Sequence, residues 1–408
     1  MHYVIIGNSA AGINAIEAIR KVDPKGKITN ISDEVYFPYS RPLLSYLIAG
    51  KVGEEDMGFR PPSFYQDYNV ETVFGSPVVK VNSKEQEVLL SNGMKIPYDK
   101  LLVATGRVPG RLRIPGLYGN RTFHLLRLDD ARGIIKVLPE VKRVVVIGSG
   151  LIGLKAAEAL RTIGREVTVV EIMDRILPLA TDERSSEILQ SIMEENGIRF
   201  FLDNAVTEVH RDIKGNPVKV SLLKGGKDIP ADLIIVAAGI NPTFDFLSET
   251  QARVNVGVIV DHYLRTTDEN IYAAGDVSES KDVITGRSNL SAVWPRACEQ
   301  GYYAGFNMAG FKKEYLGGYG LNSVSFFGLS CITIGDILTE REDFEIILKE
   351  MPDERVYSKV ILEDDRVRGA VVVGRVLNVS ALNQLIRKRI DVRFFKDHLL
   401  EEKFVFAY

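Results

Sequence analysis

Short apolar runs, small-residue turns and helical periodicity alternate at the start of this chain. Tyr3–Ile6 has the pattern of a buried strand, Gly7–Gly12 is a turn of small residues, and Ile13–Val22 places apolar side chains at helical spacing. Ile28–Ile31 is a second apolar run, closed by polar residues at 32–34. Strands that alternate with a helix predict a parallel βαβ unit.

The same pattern occurs a second time. Val144–Ile147 predicts a strand, Gly148–Gly153 a turn, Leu154–Ile163 a helix and Val167–Val170 the next strand, which ends at Glu171. The turn and helix align with the first copy at a constant offset of 141 residues. A duplicated unit predicts two nucleotide-binding halves in one chain.

The turn residues have a physical reason in both copies. The first glycine lets the backbone leave the strand sharply, the small middle residue admits a pyrophosphate, and the third lets helix and strand pack closely. The helix N-terminus then offers unpaired N–H groups to the phosphates. Ser9 takes the middle position in the first copy and Gly150 in the second.

Glu171 lies 18 residues beyond Gly153, where an acid hydrogen-bonds the adenosine ribose hydroxyls of a bound dinucleotide. A 2′-phosphate would face this carboxylate, so the sequence favours NADH over NADPH, although Arg175 lies only four residues further on. The alternative is a solvated acid at the end of a strand.

Three further strand patterns end in small residues. Leu101–Gly106 and Leu233–Gly239 each follow one nucleotide unit, and Ile271–Asp276 ends in Gly-Asp. An aspartate at such a point suits a ribityl hydroxyl chain. Each pattern alone is also typical of an ordinary turn, whereas their order along one chain is more specific.

Composition sets the class of protein. The chain has 408 residues, 45% of them hydrophobic and 26% charged, which is typical of a globular protein with two or three domains. Its net charge of −3 gives no global basic field for nucleic acid or anionic membranes. The apolar runs are shorter than the ~20 residues that a membrane span needs. The N-terminus lacks a signal-peptide pattern, so we expect a cytoplasmic protein.

Cysteine usage excludes several kinds of site. Cys298 and Cys331 are 33 residues apart, and no CxxC pair occurs. A disulfide scaffold and a four-cysteine zinc or iron–sulfur site within this chain are therefore excluded. Two free thiols in a reducing cytosol are expected.

This ordered set of motifs resembles the pyridine nucleotide–disulfide oxidoreductase superfamily, strongly over residues 1 to about 320 and weakly beyond. The resemblance implies an α/β fold with two Rossmann-like, three-layer dinucleotide-binding domains and a C-terminal α+β domain. It divides the chain into a discontinuous FAD-binding domain (1–115 and 245–318), an NAD(P)H-binding domain (116–244) and a C-terminal domain (319–408). The last domain serves dimerisation or closes the flavin site in relatives.

The resemblance also implies the residues that bind the two cofactors. Asp33 would meet the adenosine ribose of FAD, the Val78 backbone its adenine, and Asp276 its ribitol. Surface salt bridging is the alternative role for Arg41 and Arg127. The implied FAD-binding residues are Gly7, Ser9, Ala11, Gly12, Asp33, Arg41, Pro42, Val78, Thr105, Gly106, Arg127, Gly275, Asp276, Val293 and Trp294. The implied NAD-binding residues are Gly148, Gly150, Leu151, Ile152, Gly153, Glu171 and Gly239.

Tyr39–Ser45 narrows the resemblance. It looks like the segment that covers the flavin edge in the rubredoxin, ferredoxin and nitrite reductase flavoproteins. Relatives that use a disulfide carry a redox cysteine where this chain has Pro42. We therefore expect electrons to leave FAD directly, without a thiol relay.

One departure from the relatives concerns two candidate catalytic residues. These proteins usually carry a Lys–Glu pair beside the reactive flavin nitrogen, and the corresponding positions here are Tyr46 and Lys155. The carboxylate is thus expected to be absent. Lys155 would either place positive charge near the flavin, which stabilises the reduced form, or point into solvent.

The last ninety residues predict an α+β domain. Val324–Leu329, Ile332–Gly335, Val356–Leu362 and Val367–Gly374 read as strands, and Val379–Arg389 reads as a helix. Phe326 and Phe327 would approach the flavin edge or lie in the core. The basic residues that follow would either dock an acidic electron carrier or form a solvated face. They are Arg387, Lys388, Arg389, Arg393 and Lys396.

The function that these patterns favour is transfer of electrons from NADH through FAD to a ferredoxin, a rubredoxin or another iron–sulfur protein. The alternatives are an NADH oxidase or small-molecule reductase that acts on oxygen or a disulfide, and a flavoprotein of the apoptosis-inducing-factor type. Peroxide and disulfide chemistry need a thiolate nucleophile, which counts against them here. The resemblance also allows a homodimer.

Overall fold

The computed structural model describes residues 1–290, 292–376, 378–402 and 404. The chain divides into two compact units, each built from three segments. Unit 1 comprises Met1–Ser40, Glu54–Val108 and Ile240–Tyr319, and unit 2 comprises Arg41–Gly53, Pro109–Gly239 and Gly320–Tyr408. The residues predicted to form the NAD(P)H-binding and C-terminal domains thus fall largely in unit 2, together with the segment 41–53.

Unit 1 is organised around a parallel sheet whose strand order is β19-β7-β1-β2-β3. Its helices are α1 (Ala10–Val22), α3 (Phe64–Asp67) and α7 (Trp294–Met308). The strands of the parallel sheet are β1 (His2–Ile6), β2 (Lys27–Ser32), β3 (Val70–Phe74), β7 (Lys100–Val103) and β19 (Ile271–Ala273). The other strands are β4 (Val78–Asn82), β5 (Glu87–Leu90), β6 (Lys95–Pro97), β8 (Arg107–Pro109), β17 (Ile240–Pro242), β18 (Val258–Ile259), β20 (Ser278–Lys281) and β21 (Ser288–Leu290).

The close contact of α1 with α7 depends on small residues. A Cβ added at Gly301 would lie 2.0 Å from the Ala11 carbonyl oxygen, and one at Gly305 would lie 2.5 Å from that of Ala15. No side chain larger than hydrogen fits at either glycine without separating the helices. This packing fixes α1, the helix that follows the first glycine turn, against the rest of unit 1.

Unit 2 contains a parallel sheet of order β12-β11-β10-β16-β9 and a C-terminal antiparallel sheet of order β22-β23-β26-β25-β24. The helices are α2 (Leu44–Ile48), α4 (Leu128–Val137), α5 (Leu151–Thr162), α6 (Glu183–Glu195) and α8 (Val379–Lys388). The parallel strands and a small antiparallel sheet are β9 (Thr122–Phe123), β10 (Arg143–Ile147), β11 (Glu166–Val170), β12 (Ile198–Phe201), β13 (Val206–Arg211), β14 (Pro217–Leu222), β15 (Ile229–Pro230) and β16 (Leu233–Val236). The C-terminal strands are β22 (Leu321–Phe326), β23 (Leu329–Gly335), β24 (Glu345–Met351), β25 (Val356–Glu363) and β26 (Arg366–Val373).

A buried polar contact joins the C-terminal sheet to the start of α6. Asp182 caps α6 by accepting a hydrogen bond from the Ser185 N–H at 3.1 Å. The same carboxylate accepts a 2.7 Å bond from the Tyr357 hydroxyl, and Lys359 Nζ lies 3.4 Å away. Burial alone raises the pKa of Asp182, but these hydrogen bonds and the nearby ammonium outweigh it, so the net pKa is lowered.

The structure confirms the predicted α/β class and both βαβ units, and it corrects three local predictions. Helices α1 and α5 begin three residues before the predicted starts, because Ser9 and Gly150 are the N-caps and the third glycine of each turn lies inside the first helical turn. The predicted strand Val324–Leu329 is wrong, because the chain reverses within it. Phe327 and Gly328 have φ of +48° and +86°, and they form the turn between β22 and β23.

Two expected absences can be examined in the part of the chain that the structure describes. No helix there is long and apolar enough to cross a membrane. No cluster of three or more histidine, cysteine or acidic side chains is arranged to hold a metal ion in the same residues.

Candidate functional site

The glycine turn of unit 1 leaves room for a ligand at the start of α1. Gly7 has φ of +127°, and a Cβ there would lie 2.1 Å from the Ala104 carbonyl oxygen. A Cβ at Gly12 would lie 2.0 Å from the carbonyl oxygen of Gly7. Ser9 is the extended N-cap, and its side chain does not cap α1, so the first-turn N–H groups point towards the turn without that partner. A small, open helix N-terminus fits the pyrophosphate of FAD.

Two asparagines brace this turn, and the sequence analysis did not identify either of them. Asn30 on β2 donates from Nδ2 to the carbonyl oxygens of Gly7 at 3.1 Å and of Ile5 at 3.3 Å. Asn8 donates to the Tyr36 carbonyl oxygen at 3.1 Å and accepts from the Tyr65 hydroxyl. Because both asparagines bond to backbone or to each other's neighbours across long sequence separations, only the folded chain reveals their role.

The end of β2 offers two acids in different environments. Asp33, the predicted ribose ligand, is exposed. Glu34 is buried and accepts a 2.6 Å hydrogen bond from the Tyr39 hydroxyl. The strand registers place Ile31 beside Ile6 and Val170 beside Ile147, so Ser32 occupies the position that corresponds to Glu171. The role of Asp33 towards the ribose stays a prediction.

The other predicted residues of unit 1 gather where the parallel strands end. Gly275 follows β19 with φ of +80°, and its N–H donates to Gln300 Oε1 at 2.8 Å. A Cβ there would lie 3.2 Å from the Ala11 Cβ, so Gly275 lies against the start of α1. Gly106, with φ of +68°, follows β7 and has open space where a side chain would be. Ligands of such sheets bind outside the carboxyl ends of the strands.

Arg107 is a further residue of this region that the sequence analysis missed. Its Nε donates to the Asp276 carbonyl oxygen at 3.2 Å. Burial lowers the pKa of the Arg107 guanidinium, although the charge of Asp276 acts in the opposite direction. A partly buried cation thus lies beside the aspartate predicted to bind ribitol.

Three predicted residues of unit 1 are placed by their secondary structure. Val78 begins β4, Val293 is the N-cap of α7, and Trp294 is its first residue. The Trp294 ring contacts that of Phe59 edge-on at 5.3 Å. Thr105 donates from Oγ1 to the Thr243 carbonyl oxygen at 3.4 Å. None of these contacts involves a ligand, so their cofactor roles stay predictions.

The glycine turn of unit 2 repeats the geometry of the first. Gly148 has φ of +103°, and a Cβ there would lie 2.6 Å from the Ala237 carbonyl oxygen. A Cβ at Gly153 would lie 2.2 Å from that of Gly148. Gly150, the N-cap, has no protein atom within 4 Å of the place a Cβ would take, and Gly239 has the same open space. Leu151 and Ile152 begin α5. The turn therefore fits a second dinucleotide.

Glu171 is held inside this turn rather than solvated. It is 7% exposed, and its Oε2 accepts from both the N–H and the hydroxyl of Ser149, at 2.6 and 2.8 Å. Its Oε1 accepts from the Met173 N–H at 3.0 Å. The alternative of a solvated acid is wrong. Ser149, in the variable position of the turn, was not identified from the sequence, and the nearby Arg175 pairs with Asp174 instead.

Tyr46 and Lys155 come together in unit 2, with Lys155 Nζ 5.1 Å from the centre of the Tyr46 ring. Lys155 Nζ also pairs with Glu158 and donates to the Ser325 carbonyl oxygen at 3.1 Å. The expected absence of a carboxylate is therefore wrong, because Glu158 supplies one from the next turn of α5. Lys155 does not point freely into solvent either, since its side chain is 21% exposed.

The same pair reaches the turn of the C-terminal hairpin. Glu158 Oε1 accepts a 2.7 Å hydrogen bond from the Phe327 N–H. The Phe326 side chain is fully buried, with its ring centre 5.6 Å from Lys155 Nζ, which supports the core role for this residue. Lys155 and Glu158 thus connect α5 to the turn between β22 and β23.

Arg41, Pro42 and Arg127 lie in unit 2, whereas the glycine turn predicted to hold FAD lies in unit 1. Arg41 and Pro42 form a short 3-10 turn before α2, and Arg41 donates to the Leu126 carbonyl oxygen at 2.6 Å. The next residue, Arg127, is the N-cap of α4, and its N–H bonds to Asp130 at 2.9 Å. Arg41 and the backbone beside Arg127 are therefore neighbours.

The thiols are unsuited to electron transfer. Cys298 in unit 1 is partly buried and Cys331 in unit 2 is fully buried, and both are free. Burial raises the pKa of both, that of Cys331 to about 12. Neither forms a thiolate readily, which agrees with the expectation that this chain has no disulfide relay.

The predicted basic cluster is balanced by acids in the folded chain. Arg393 bonds to Asp391 at 2.6 Å, and Lys396 bonds to Glu345 at 2.6 Å. Lys396 also lies 3.8 Å from Asp365. The positive field expected from the sequence is therefore weaker, because the neighbouring acids are distant in sequence and were not counted.

Comparison with known proteins places the chain in a family. Residues 1–301 match the model of the pyridine nucleotide-disulphide oxidoreductases, and residues 321–390 match that of the rubredoxin NAD+ reductase C-terminal domain. The chain is 31% identical over 394 residues to the epsilon subunit of NADH-dependent phenylglyoxylate dehydrogenase from Aromatoleum evansii, covering 96% of this chain and 92% of that one. It is 32% identical over 287 residues to rubredoxin-NAD(+) reductase from Pseudomonas putida, covering 70% and 74%.

A solved structure with the same architecture is a covalent putidaredoxin reductase–putidaredoxin complex, with a TM-score of 0.88, 26% identity, and coverage of 96% of this chain and 94% of that chain. Two relatives from Bacillus subtilis, an assimilatory nitrate reductase electron transfer subunit and a nitrite reductase, are matched over about half of their length. The chain belongs to the pyridine nucleotide-disulphide oxidoreductase family of FAD-dependent NADH oxidoreductases.

Proposed function

We propose that this protein takes electrons from NADH through FAD and delivers them to an iron–sulfur or rubredoxin-type protein. The observation that carries the proposal is the state of the two thiols. Cys298 and Cys331 are buried to different degrees, both have raised pKa values, and they lie in different units. Without a thiol relay, electrons leave FAD directly.

The residues divide the work between binding and selection. The turn at Gly7–Gly12 holds the FAD pyrophosphate against the N-terminus of α1, and the turn at Gly148–Gly153 holds that of NADH against α5. Glu171 selects NADH, because its fixed carboxylate accepts from ribose hydroxyls and repels a 2′-phosphate. FAD, when bound, accepts a hydride and releases electrons singly to a one-electron carrier.

Lys155 is the candidate electrostatic residue. Its ammonium is fixed by Glu158 and the Ser325 carbonyl oxygen, so its charge stays in one place. A fixed cation near the flavin would favour the reduced form, but the carboxylate of Glu158 offsets part of this charge. We therefore expect a smaller effect on the flavin potential than an unpaired lysine would have.

The relatives support this direction of electron flow. A Pseudomonas putida relative is named for rubredoxin and NAD+, and the structural neighbour is a complex with putidaredoxin. A second candidate function is oxygen reduction, favoured by 31% identity over 324 residues to an NADH oxidase from Methanocaldococcus jannaschii, which covers 77% of this chain and 71% of that one. We further propose a homodimer that works in the cytoplasm, where free thiols are stable.

The test is anaerobic reduction of the FAD-loaded protein by NADH or NADPH, followed by reoxidation with ferredoxin, rubredoxin, oxygen or coenzyme A disulfide in parallel. We expect faster reduction by NADH and fastest reoxidation by an iron–sulfur or rubredoxin acceptor. The Cys298→Ser/Cys331→Ser variant is the matched control and should keep these rates. Reoxidation by the disulfide alone, lost in that variant, would overturn the proposal.

A further inference from the structure

Strand β24 is an unusual edge for a sheet. It ends the order β22-β23-β26-β25-β24, and no strand is paired with its outer side among the described residues. Its pairing with β25 runs without a bulge from Glu345–Leu362 to Met351–Val356. The strand therefore offers a straight row of backbone N–H and C=O groups to a further strand.

The side chains of β24 do not protect this edge. Ile346 and Leu348 are 55% and 53% exposed, and the strand contains neither proline nor glycine. Charged residues lie only on either side of the apolar centre. The opposite edge, β22, carries polar residues at Asn322, Ser323 and Ser325 instead. Soluble proteins normally block an apolar edge or cover it with a partner.

The sequence of β24 is complementary to itself. The central stretch reads Glu345-Ile-Ile-Leu-Lys349. Two copies paired antiparallel about Ile347 would place Glu345 of each opposite Lys349 of the other, and Ile346 opposite Leu348. Residues that lie opposite one another share a face of the sheet, so each Glu–Lys pair can form an ion pair.

Other registers lose this match. A two-fold axis perpendicular to the sheet keeps each residue on its face, so the register changes in steps of two. Such a step would place Glu345 opposite Ile347 or Met351. Parallel pairing would bring like charges together. The antiparallel register about Ile347 is therefore the one that pairs charge with charge and apolar with apolar.

We propose that β24 joins two copies of this chain into a dimer, by antiparallel pairing about Ile347 into one continuous sheet. The contact is isologous, because the same residues contribute from both copies. This extends the homodimer proposed above and does not depend on the electron acceptor. Glu345 already bonds to Lys396 of its own chain, and the Lys349 ammonium lies 3.4 Å from the Leu400 carbonyl oxygen. Both side chains are therefore on the face where the cross-copy pairs would form.

The test is sedimentation of the full-length, FAD-loaded protein over a wide range of concentration. We expect a dimer for the wild type. Glu345→Lys and Lys349→Glu should each raise the dimer Kd at least about tenfold, because each replaces two opposite-charge pairs with two like-charge pairs. The Glu345→Lys/Lys349→Glu double variant should restore the wild-type Kd, since the charges are exchanged but remain complementary.

Two controls separate this contact from other causes. Lys95→Glu makes the same charge change on an exposed strand of unit 1, and Lys396→Met removes the intrachain partner of Glu345; both should leave the Kd unchanged. Reduction of FAD by NADH should be unchanged in every variant, so failure of the dimer is distinguishable from failure of the proposed function.

Three results would overturn the proposal. The first is a wild type that remains monomeric at all concentrations. The second is a dimer that both single charge variants leave intact. The third is a dimer lost on deletion of residues 403–408 but insensitive to the charge variants, which would assign the contact to the C-terminal segment.

Discussion

The Lys155–Glu158 pair makes a quantitative prediction about the turn between β22 and β23. The Glu158 carboxylate is 11% exposed and accepts from the Lys155 ammonium and the Phe327 N–H. Hydrogen bonds to charged groups contribute about 1.5–3 kcal/mol each, and an unpaired buried donor adds a penalty. Glu158→Ala should therefore destabilise the turn by about 3 kcal/mol.

The amide of Phe327 provides the most direct measurement. Since 1.4 kcal/mol corresponds to about a tenfold change, Glu158→Ala should speed its hydrogen exchange by about two orders of magnitude. Glu158→Gln keeps an acceptor for this N–H but loses the charge, so we expect a change of about tenfold. The single tryptophan, Trp294, lies in unit 1, so its fluorescence is not a substitute for exchange measured on the peptide that contains the turn.

A double-mutant cycle with Lys155→Met tests whether the two side chains act together. We expect a coupling energy of about 1.5–3 kcal/mol, because both side chains are largely removed from solvent. The matched control is Glu187→Ala, which breaks an exposed pair with Arg184 at the same spacing and should cost less than about 0.5 kcal/mol. A coupling below about 0.5 kcal/mol, or exchange within twofold of wild type in Glu158→Ala, would refute this reasoning.

Three further predictions concern cofactors and pH. Gly7→Val should yield protein without bound flavin, seen as loss of its visible absorbance, because the side chain would overlap the Ala104 carbonyl oxygen. Ser149→Ala should raise the KM for NADH about 3–10-fold without changing kcat, since one bond that orients Glu171 is lost; an unchanged KM would contradict this. The lowered pKa of Asp182 implies stability that is fully present above the unfolded pKa of about 3.9 and lost as the pH falls through the folded value. Thermal unfolding of Asp182→Asn should therefore depend less on pH in the acid range than that of the wild type.

The parts of the fold that local pattern determines were predictable. Both glycine turns, their strands and their helices follow from apolar periodicity and from the steric needs of a backbone that turns sharply. The helix starts were late by three residues, because Gly12 and Gly153 read as turn residues although they lie within the first helical turn. Strand β24 has two adjacent isoleucines and no clear alternation, so its pattern did not separate it from a loop.

The side-chain contacts of the site depend on tertiary structure. Glu158 was overlooked because comparison with relatives directs attention to position 155, and only the helix geometry shows that a carboxylate three residues later reaches the same ammonium. Asn30 and Arg107 have no local motif, and their partners are distant in sequence. The charge of the basic cluster was overestimated for the same reason, since Glu345 lies 51 residues before Lys396.

The three-segment construction of unit 1 has a consequence for the order in which the chain acquires structure during synthesis. The parallel sheet needs β19, and α1 is packed by Gly301 and Gly305 of α7. A ribosome must therefore release nearly three quarters of the polypeptide before the FAD-binding unit can close, although its first βαβ element is made at the outset. All the unit 2 residues from 109 to 239 emerge in that interval. We expect the early FAD-binding segments to remain dependent on chaperones, or to fold reversibly, until α7 arrives to complete their core.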